Sequence, residues 1–332
     1  MNKNTSPFFN KLMQIGFVVK DLKTAMDKFL NKYSIEPWYV LEFNSKNVKN
    51  MYYHKFKKNY SMLVGVCPIG DIRFEIIEPL GQSIYSEYLD RYGEGIIHHV
   101  KLEVNDYRSS LDYIKSLDIN VLQHGEQQGK CGKNIYTYLD TKQSLGFISE
   151  IVNITKDFIK PEPEYWYTNK ELDVIKPFFV KPTQIGIITK DLEKKINQFT
   201  EFFNLKLIAI KNYSNKNINN MYVHGKPINY SMKIAFFELG NVILKIIEPL
   251  ESSIFTEFYD KYGEGVIHHL RMGINDYAKV SKILQLQGVK VLQSGLYCNA
   301  VKFAFFETNK DINFTTEIID NATGGIISDF CP

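Results

Sequence analysis

One nonapeptide occurs twice in this chain and limits what the chain can become. Tyr92-Gly93-Glu94-Gly95-Ile96-Ile97-His98-His99-Val100 returns 170 residues later as Tyr262-Gly263-Glu264-Gly265-Val266-Ile267-His268-His269-Leu270. The same offset relates Gln14-Ile15-Gly16 to Gln184-Ile185-Gly186, Asn50-Met51-Tyr52 to Asn220-Met221-Tyr222, and Ile76-Ile77-Glu78-Pro79-Leu80 to Ile246-Ile247-Glu248-Pro249-Leu250. Near the end of each copy the register slips, and Glu150 pairs with Glu317 at an offset of 167. A single long-period repeat denotes a duplicated domain rather than a solenoid of short units. The expected division is a first domain over 1–156, a linker over 157–182 rich in Pro, Glu and Lys, and a second domain over 183–332.

Each copy divides again. A strand over Met13–Val19 meets Asp21, a good helix N-cap, and Leu22, Ala25, Met26, Phe29 and Leu30 follow at helical spacing. Strand-like runs come next around Tyr39–Phe43, Met62–Val66 and Arg73–Ile77, then a short helix over Ser83–Tyr92 stopped by Gly93. The second half repeats the plan: strand Ile97–Val104, Asp106 as cap, a helix carrying Tyr107, Leu111 and Ile114, and strands near Val121, Ile135–Leu139 and Phe147–Val152. The unit is βαβββ, four times over, which predicts an α+β fold of antiparallel strands with helices on one face.

Composition narrows the function classes. A net charge of +3 over 332 residues, with no long basic run, gives nucleic-acid binding no support. No apolar run is long enough to cross a bilayer, and Met1 to Lys11 lacks the apolar core of a signal peptide, so a cytoplasmic protein is expected. Cys67, Cys131, Cys298 and Cys331 show no CxxC spacing and read as free thiols.

Strand alternation places His98, Val100 and Leu102 on one face and His99, Lys101 and Glu103 on the other. The first His of the pair then sits among apolar residues and the second on a polar, ligand-bearing face. Equivalent polar positions on the first and last strands of the two modules are Gln14, Glu75, His99 and Glu150. This nitrogen and oxygen set suits one divalent ion such as Zn²⁺, Mn²⁺, Co²⁺, Ni²⁺ or Fe²⁺. Tyr52, Tyr60 and His54 recur in both copies and read either as shared packing or as a lining of the cup; Lys101 reads either as a surface ion pair or as a contact to an anionic substrate. Glu78 and Glu248, each before a proline, read as turn or surface acids.

With these residues in view, the chain resembles the vicinal-oxygen-chelate superfamily of glyoxalase I, methylmalonyl-CoA epimerase and extradiol dioxygenases. The resemblance spans nearly the whole chain and implies two tandem glyoxalase-like domains, each a cup built from two βαβββ modules. By resemblance, Gln14, Glu75, His99 and Glu150 are metal ligands of the glyoxalase I type, and Glu150 is the acid/base. The Gly-Glu-Gly-Ile-Ile-His-His segment and the Phe74–Leu80 strand resemble the epimerase branch. The strand near Tyr60–Val64 lacks the carboxylate that branch uses as its second acid/base. The implied activity is that of a metal-dependent isomerase or lyase acting on a small carbonyl substrate through a metal-bound enolate. The alternatives are a non-catalytic small-molecule binding or resistance protein and an Fe(II) ring-cleaving dioxygenase. In the second copy the matching positions are Gln184, Lys245, His269 and Glu317. Lys245 has no lone pair when protonated and brings a positive charge, so this second cup is expected to be metal-free. Its Lys245 should pair with Glu317, leaving the domain structural or open to an anionic ligand through Lys245 and Arg271. A monomer or homodimer is expected.

Overall fold

Caps and periodicity decide the local structure of each module. The computed structural model describes residues 8–168 and 178–320. The first copy runs β1 (Phe9–Val18), α1 (Leu22–Tyr33), β2 (Trp38–Phe43), β3 (Val48–Tyr53), β4 (Phe56–Lys57), β5 (Met62–Ile69), β6 (Ile72–Pro79) and α2 (Ile84–Tyr92). It continues with β7 (Ile97–Val104), α3 (Tyr107–Ser116), β8 (Val121–Gln128), β9 (Lys133–Leu139), α4 (Lys142–Leu145) and β10 (Ile148–Ile154). A short β11 (Tyr165–Tyr167) precedes the second copy: β12 (Pro182–Ile188), α5 (Leu192–Phe203), β13 (Lys206–Tyr213), β14 (Ile218–Val223), β15 (Lys226–Pro227), β16 (Met232–Leu239), β17 (Val242–Pro249) and α6 (Ile254–Tyr262). It ends with β18 (Ile267–Met272), α7 (Tyr277–Leu286), β19 (Val291–Tyr297), β20 (Val301–Phe306), α8 (Asn309–Ile312) and β21 (Thr315–Ile319).

Asp21 and Asp106 are the expected N-caps, accepting from the Thr24 and Ser109 amides at 2.6 and 2.7 Å. Asp191 and Asp276 repeat this at 2.9 and 2.8 Å. Each such cap contributes about 1 kcal/mol. Glu78 and Glu248 have a use the sequence did not suggest: they accept from the Leu22 and Leu192 amides at the starts of α1 and α5. Glu94 of the repeated Gly-Glu-Gly accepts from the Lys20 amide at 2.7 Å, tying the motif to the β1–α1 junction.

Most strand pairs are antiparallel, as expected. The exceptions among the described residues are β1–β6 and β7–β10 in the first copy and β12–β17 and β18–β21 in the second, which run parallel. A module reverses direction an even number of times between its first and last strands, so those two must point the same way. The β1–β7 antiparallel pair joins the modules, and β3 crosses to pair with β8. The result is an open cup with its helices outside. The hairpin β3–β4 is an addition to the expected βαβββ plan.

The two domains share one core. Phe17 stacks on Phe314 with centroids 5.6 Å apart, and Phe9 stacks on Phe203 at 5.5 Å. Ile97 of β7 pairs with Ile267 of β18, and Asn241 both donates to and accepts from the Leu12 backbone. The expected linker is not free chain over its described part. Ile159 bridges to Cys131, and β11 adds to the edge of β2. Cys67 and Cys131 are free thiols, but Cys298 is disulfide-bonded, which corrects the expectation of a free thiol there. Among the described residues, no helix is long and apolar enough to cross a membrane.

Candidate metal centre

Strand register arranges the polar residues of the first cup in two rows. Gly16 of β1 lies between Glu75 of β6 and His99 of β7. One step along, Gln14 lies between Arg73 and Lys101, and Lys101 pairs with Glu150 of β10. Glu75, His99 and Glu150 each offer a ligand atom within 4.8 Å of the others, and all three are buried. His99 Nε2 is 3.4 Å from Glu75 Oε2 and 3.3 Å from Glu150 Oε2. Gln14 is 3% exposed beside them. Four buried polar atoms here have no hydrogen bond: Gln14 Nε2, Glu75 Oε2, His99 Nε2 and Glu150 Oε2. Leaving such atoms unsatisfied is costly, and their convergence fits a divalent ion.

Electrostatics fit as well. Burial works against a charged His99, yet the Glu150 and Glu75 carboxylates, 3.3 and 3.4 Å away, raise its pKa above the ordinary value. Burial pushes Glu75 up, and Lys101, His99 and the Gln14 amide more than offset it, so the carboxylate ionises below its usual range.

Simple alternation fails at the His pair. Gly16 opposes His99 while the next residue, Phe17, opposes Ile97, so His98 is an extra residue in a β-bulge. Both imidazoles therefore lie on the concave side. His98 packs against Tyr85, Tyr88 and Tyr138, and its Nδ1 is 2.9 Å from His99 Nδ1. Burial and the neighbouring His99 hold the His98 pKa well below the usual value, so His98 is neutral. A proton on His99 Nδ1, donated to His98 Nδ1, would leave the His99 Nε2 lone pair free for an ion at the centre. Reading His98 as an apolar-face packing residue missed this contact.

Gly16 is the other residue the pattern did not flag. A Cβ built on it would lie 1.9 Å from His99 Cε1, so only glycine lets the imidazole lie across β1. Gly186 stands in the same relation to His269, also at 1.9 Å. The recurrence of Gln-Ile-Gly opposite His-His was the available signal.

The remaining candidates separate. Tyr60 is buried, donates to the His124 carbonyl at 2.7 Å and lies 2.9 Å from the Tyr136 hydroxyl. Lys101 Nζ is 3.1 Å from Glu150 Oε1, inside the cup. Tyr52 is 37% exposed and turns outward beside His124; its neighbour Tyr53 packs into the concave cluster instead. His54 is not brought to the centre. It occupies a left-handed turn (φ 53°) and sits 3.2 Å from Glu87 at the surface, as His224 sits 2.8 Å from Glu257. These tight turns account for the recurrence of the histidine without any part in the site.

In the second cup, Lys245 Nζ is 2.9 Å from Glu317 Oε1. Arg271 grips the same carboxylate with Nε at 3.0 Å and a terminal nitrogen at 2.9 Å, and His269 Nε2 lies 3.2 Å away. Burial would raise the Glu317 pKa, but Arg271 and Lys245 hold it well below the usual range. Burial lowers His269 to about 4 despite Glu317. Glu317 is fully engaged by cations, and among the described residues no His, Cys, Asp and Glu group like that of the first cup forms around His269.

Comparisons with known proteins agree with this architecture. The fold matches 4-hydroxymandelate synthase from Streptomyces coelicolor (a triple mutant) at TM-score 0.60 and 12% identity, covering 95% of this chain and 93% of that one. It also matches the Mn(II)-bound glyoxalase from Novosphingobium aromaticivorans at TM-score 0.50 and 11% identity, covering 95% and 83%. Such low identities establish the fold alone. A comparison with curated proteins finds no match. The family model described as Glyoxalase/Bleomycin resistance protein/Dioxygenase superfamily matches twice, over residues 13–137 and 183–305. The chain belongs to that superfamily as a tandem member.

Proposed function

We propose that the first cup is a metal-dependent active site that moves a proton at a carbon next to a carbonyl, giving an isomerase or lyase. The observation that carries this reading is the convergence of four unsatisfied buried atoms from Gln14, Glu75, His99 and Glu150. Glu75, His99 and Glu150 would hold the ion, and a half-turn of the Gln14 amide would supply its oxygen as the fourth ligand. A divalent ion there supplies Lewis-acid stabilisation of negative charge developing on a carbonyl oxygen. Glu150 is the acid/base. Its Oε1 rests on Lys101, and its Oε2 faces the centre, where it can take a proton and return it. His98 holds the His99 ring, and Gly16 makes room for it. A buried, Tyr-rich cluster that includes Tyr60, Tyr85 and Tyr138 packs beside the centre and would keep water from it.

The set contains one histidine and two carboxylates, which favours this chemistry over a ring-cleaving site with two histidines. The competing reading is a pocket that sequesters a small molecule without turnover. Protein purified without chelators should carry one divalent metal per chain by elemental analysis. In D₂O it should exchange a proton next to a carbonyl in a panel of small keto compounds followed by NMR. No metal in the washed protein and no uptake on adding Mn²⁺, Zn²⁺, Co²⁺, Ni²⁺ or Fe²⁺ would remove the metal-dependent reading; metal without exchange across the panel would favour sequestration.

A further inference from the structure

Three cations gather beside the first cup and exceed what its carboxylates need. Arg73 and Lys101 flank Gln14 in register on β6 and β7, on the face that bears Glu75 and His99. The third comes from the segment after β10. Ile159 is pinned to Cys131 and Lys130 by backbone bonds of 2.9 Å (Ile159 N to Cys131 O) and 2.8 Å (Lys130 N to Ile159 O). The chain then runs to β11 on the edge of β2, where Trp166 packs on Tyr39 with centroids 5.5 Å apart. Between these anchors Lys160 places its ammonium 3.6 Å from the centre of the Tyr39 ring. The Arg73 guanidinium is in turn near enough to act on the Tyr39 hydroxyl, working against the rise that burial imposes on its pKa. Lys101 pairs with Glu150. Neither Arg73 nor Lys160 has a carboxylate within ion-pair distance among the described residues.

Like charges held together without counter-ions repel one another. Partial desolvation, with Arg73 and Lys101 nearby, lowers the Lys160 pKa to about 8, although the residue as a whole is exposed. A divalent ion between Glu75 and Glu150 would neutralise both carboxylates and release Lys101 from its part in balancing them. The cations would then face the cup with nothing opposite.

We propose that Arg73, Lys101 and Lys160 form an oxyanion subsite beside the metal ligands, so that the substrate carries a carboxylate or phosphate group in addition to its carbonyl. This deepens the proposed function and rests on its choice of the first cup. Arg73 supplies a planar fork and the two lysines supply point charges, with Tyr39 as an aromatic floor. The second cup lacks this arrangement. Ile243 stands in the register position of Arg73, and Arg271 there is bound to Glu317.

The test is calorimetric titration of the Mn²⁺-loaded full chain with phenyl phosphate, benzoate and neutral benzyl alcohol, repeated on Lys160→Gln and Arg73→Gln. Lys160 is exposed, so its variant should fold normally. Loss of one charged hydrogen bond predicts that each variant binds the preferred anion about tenfold more weakly. Binding of benzyl alcohol and of Mn²⁺ should be unchanged. The tighter of the two anions identifies the group as phosphate or carboxylate. Equal affinity for the alcohol and the anions, or anion affinity unchanged in both variants, would overturn the subsite. Failure of the parent protein to take up Mn²⁺ would instead overturn the metal reading. In that case anion binding that still depends on Arg73 and Lys160 would support the subsite, and anion binding independent of both would overturn it.

Discussion

Lys245→Glu tests whether one side chain keeps a metal out of the second cup. In the parent, Lys245 Nζ is 2.9 Å from Glu317, an attraction of about 6 kcal/mol in an effective dielectric near 20. The substitution replaces it with carboxylate–carboxylate repulsion of the same order, partly countered by Arg271 on Glu317 at 2.9 Å. Breaking a buried pair costs roughly 3–5 kcal/mol, so the metal-free variant should melt well below the parent. The new glutamate would also complete the Glu, His, Glu pattern of the first cup, with Gln184 in the place of Gln14. An ion that binds only the folded form at a hundred times its Kd returns about 2.7 kcal/mol. The assay pairs metal content per chain with thermal melts at rising Mn²⁺ or Zn²⁺. The variant should rise from one metal toward two and gain more Tm from added metal than the parent does. Lys245→Met, which removes the cation without adding a ligand, should stay at one. A folded Lys245→Glu protein that stays at one metal and shows no additional metal-dependent rise in Tm would refute the reasoning. So would an ion bound at His269 in the parent.

Glu150→Gln should abolish proton exchange at the substrate carbon while weakening metal binding only in part, because an amide oxygen still coordinates but takes no proton near neutrality; NMR in D₂O beside a metal titration reads both. Gly16→Ala forces a methyl into the space of His99 Cε1, so it should cost about 1–3 kcal/mol and lower metal occupancy. Gly186→Ala should cost a similar amount and leave metal content alone, and equal metal loss in both would count against the first cup as the site. Acid should destabilise the fold through its buried neutral histidines. His269 takes a proton near 6.5 when unfolded but only near 4 when folded, so its contribution of about 3 kcal/mol is present above 6.5 and lost as pH falls toward 4. Denaturant titrations at pH 7 and pH 4.5 should show the loss, and His269→Phe should reduce it.

The duplication, the four modules and the helix caps were legible in the sequence because each rests on short-range chemistry. Asp before an amphipathic run caps a helix wherever it occurs, and a repeat needs no geometry to be seen. Gln14, Glu75, His99 and Glu150 were legible for a related reason: period-two alternation and equivalent strand positions place them on one face before any contact is known. The exchange of Glu75 for Lys245, and the Lys245–Glu317 pair it predicts, follow from the same alignment. The tertiary structure decided what depends on pairing between distant strands. His98 turns toward His99 because β7 bulges against Gly16 and Phe17 of β1, a register that local alternation cannot contain. Tyr53 rather than Tyr52 enters the cup because β3 crosses to β8, and His54 is held in a turn by Glu87. The single core shared by both domains depends on Phe9 and Phe17 meeting Phe203 and Phe314, more than 190 residues away. Lys160 read as linker, because the backbone bridge to Cys131 and the strand added to β2 that hold it over Tyr39 exist only once the chain has closed on itself.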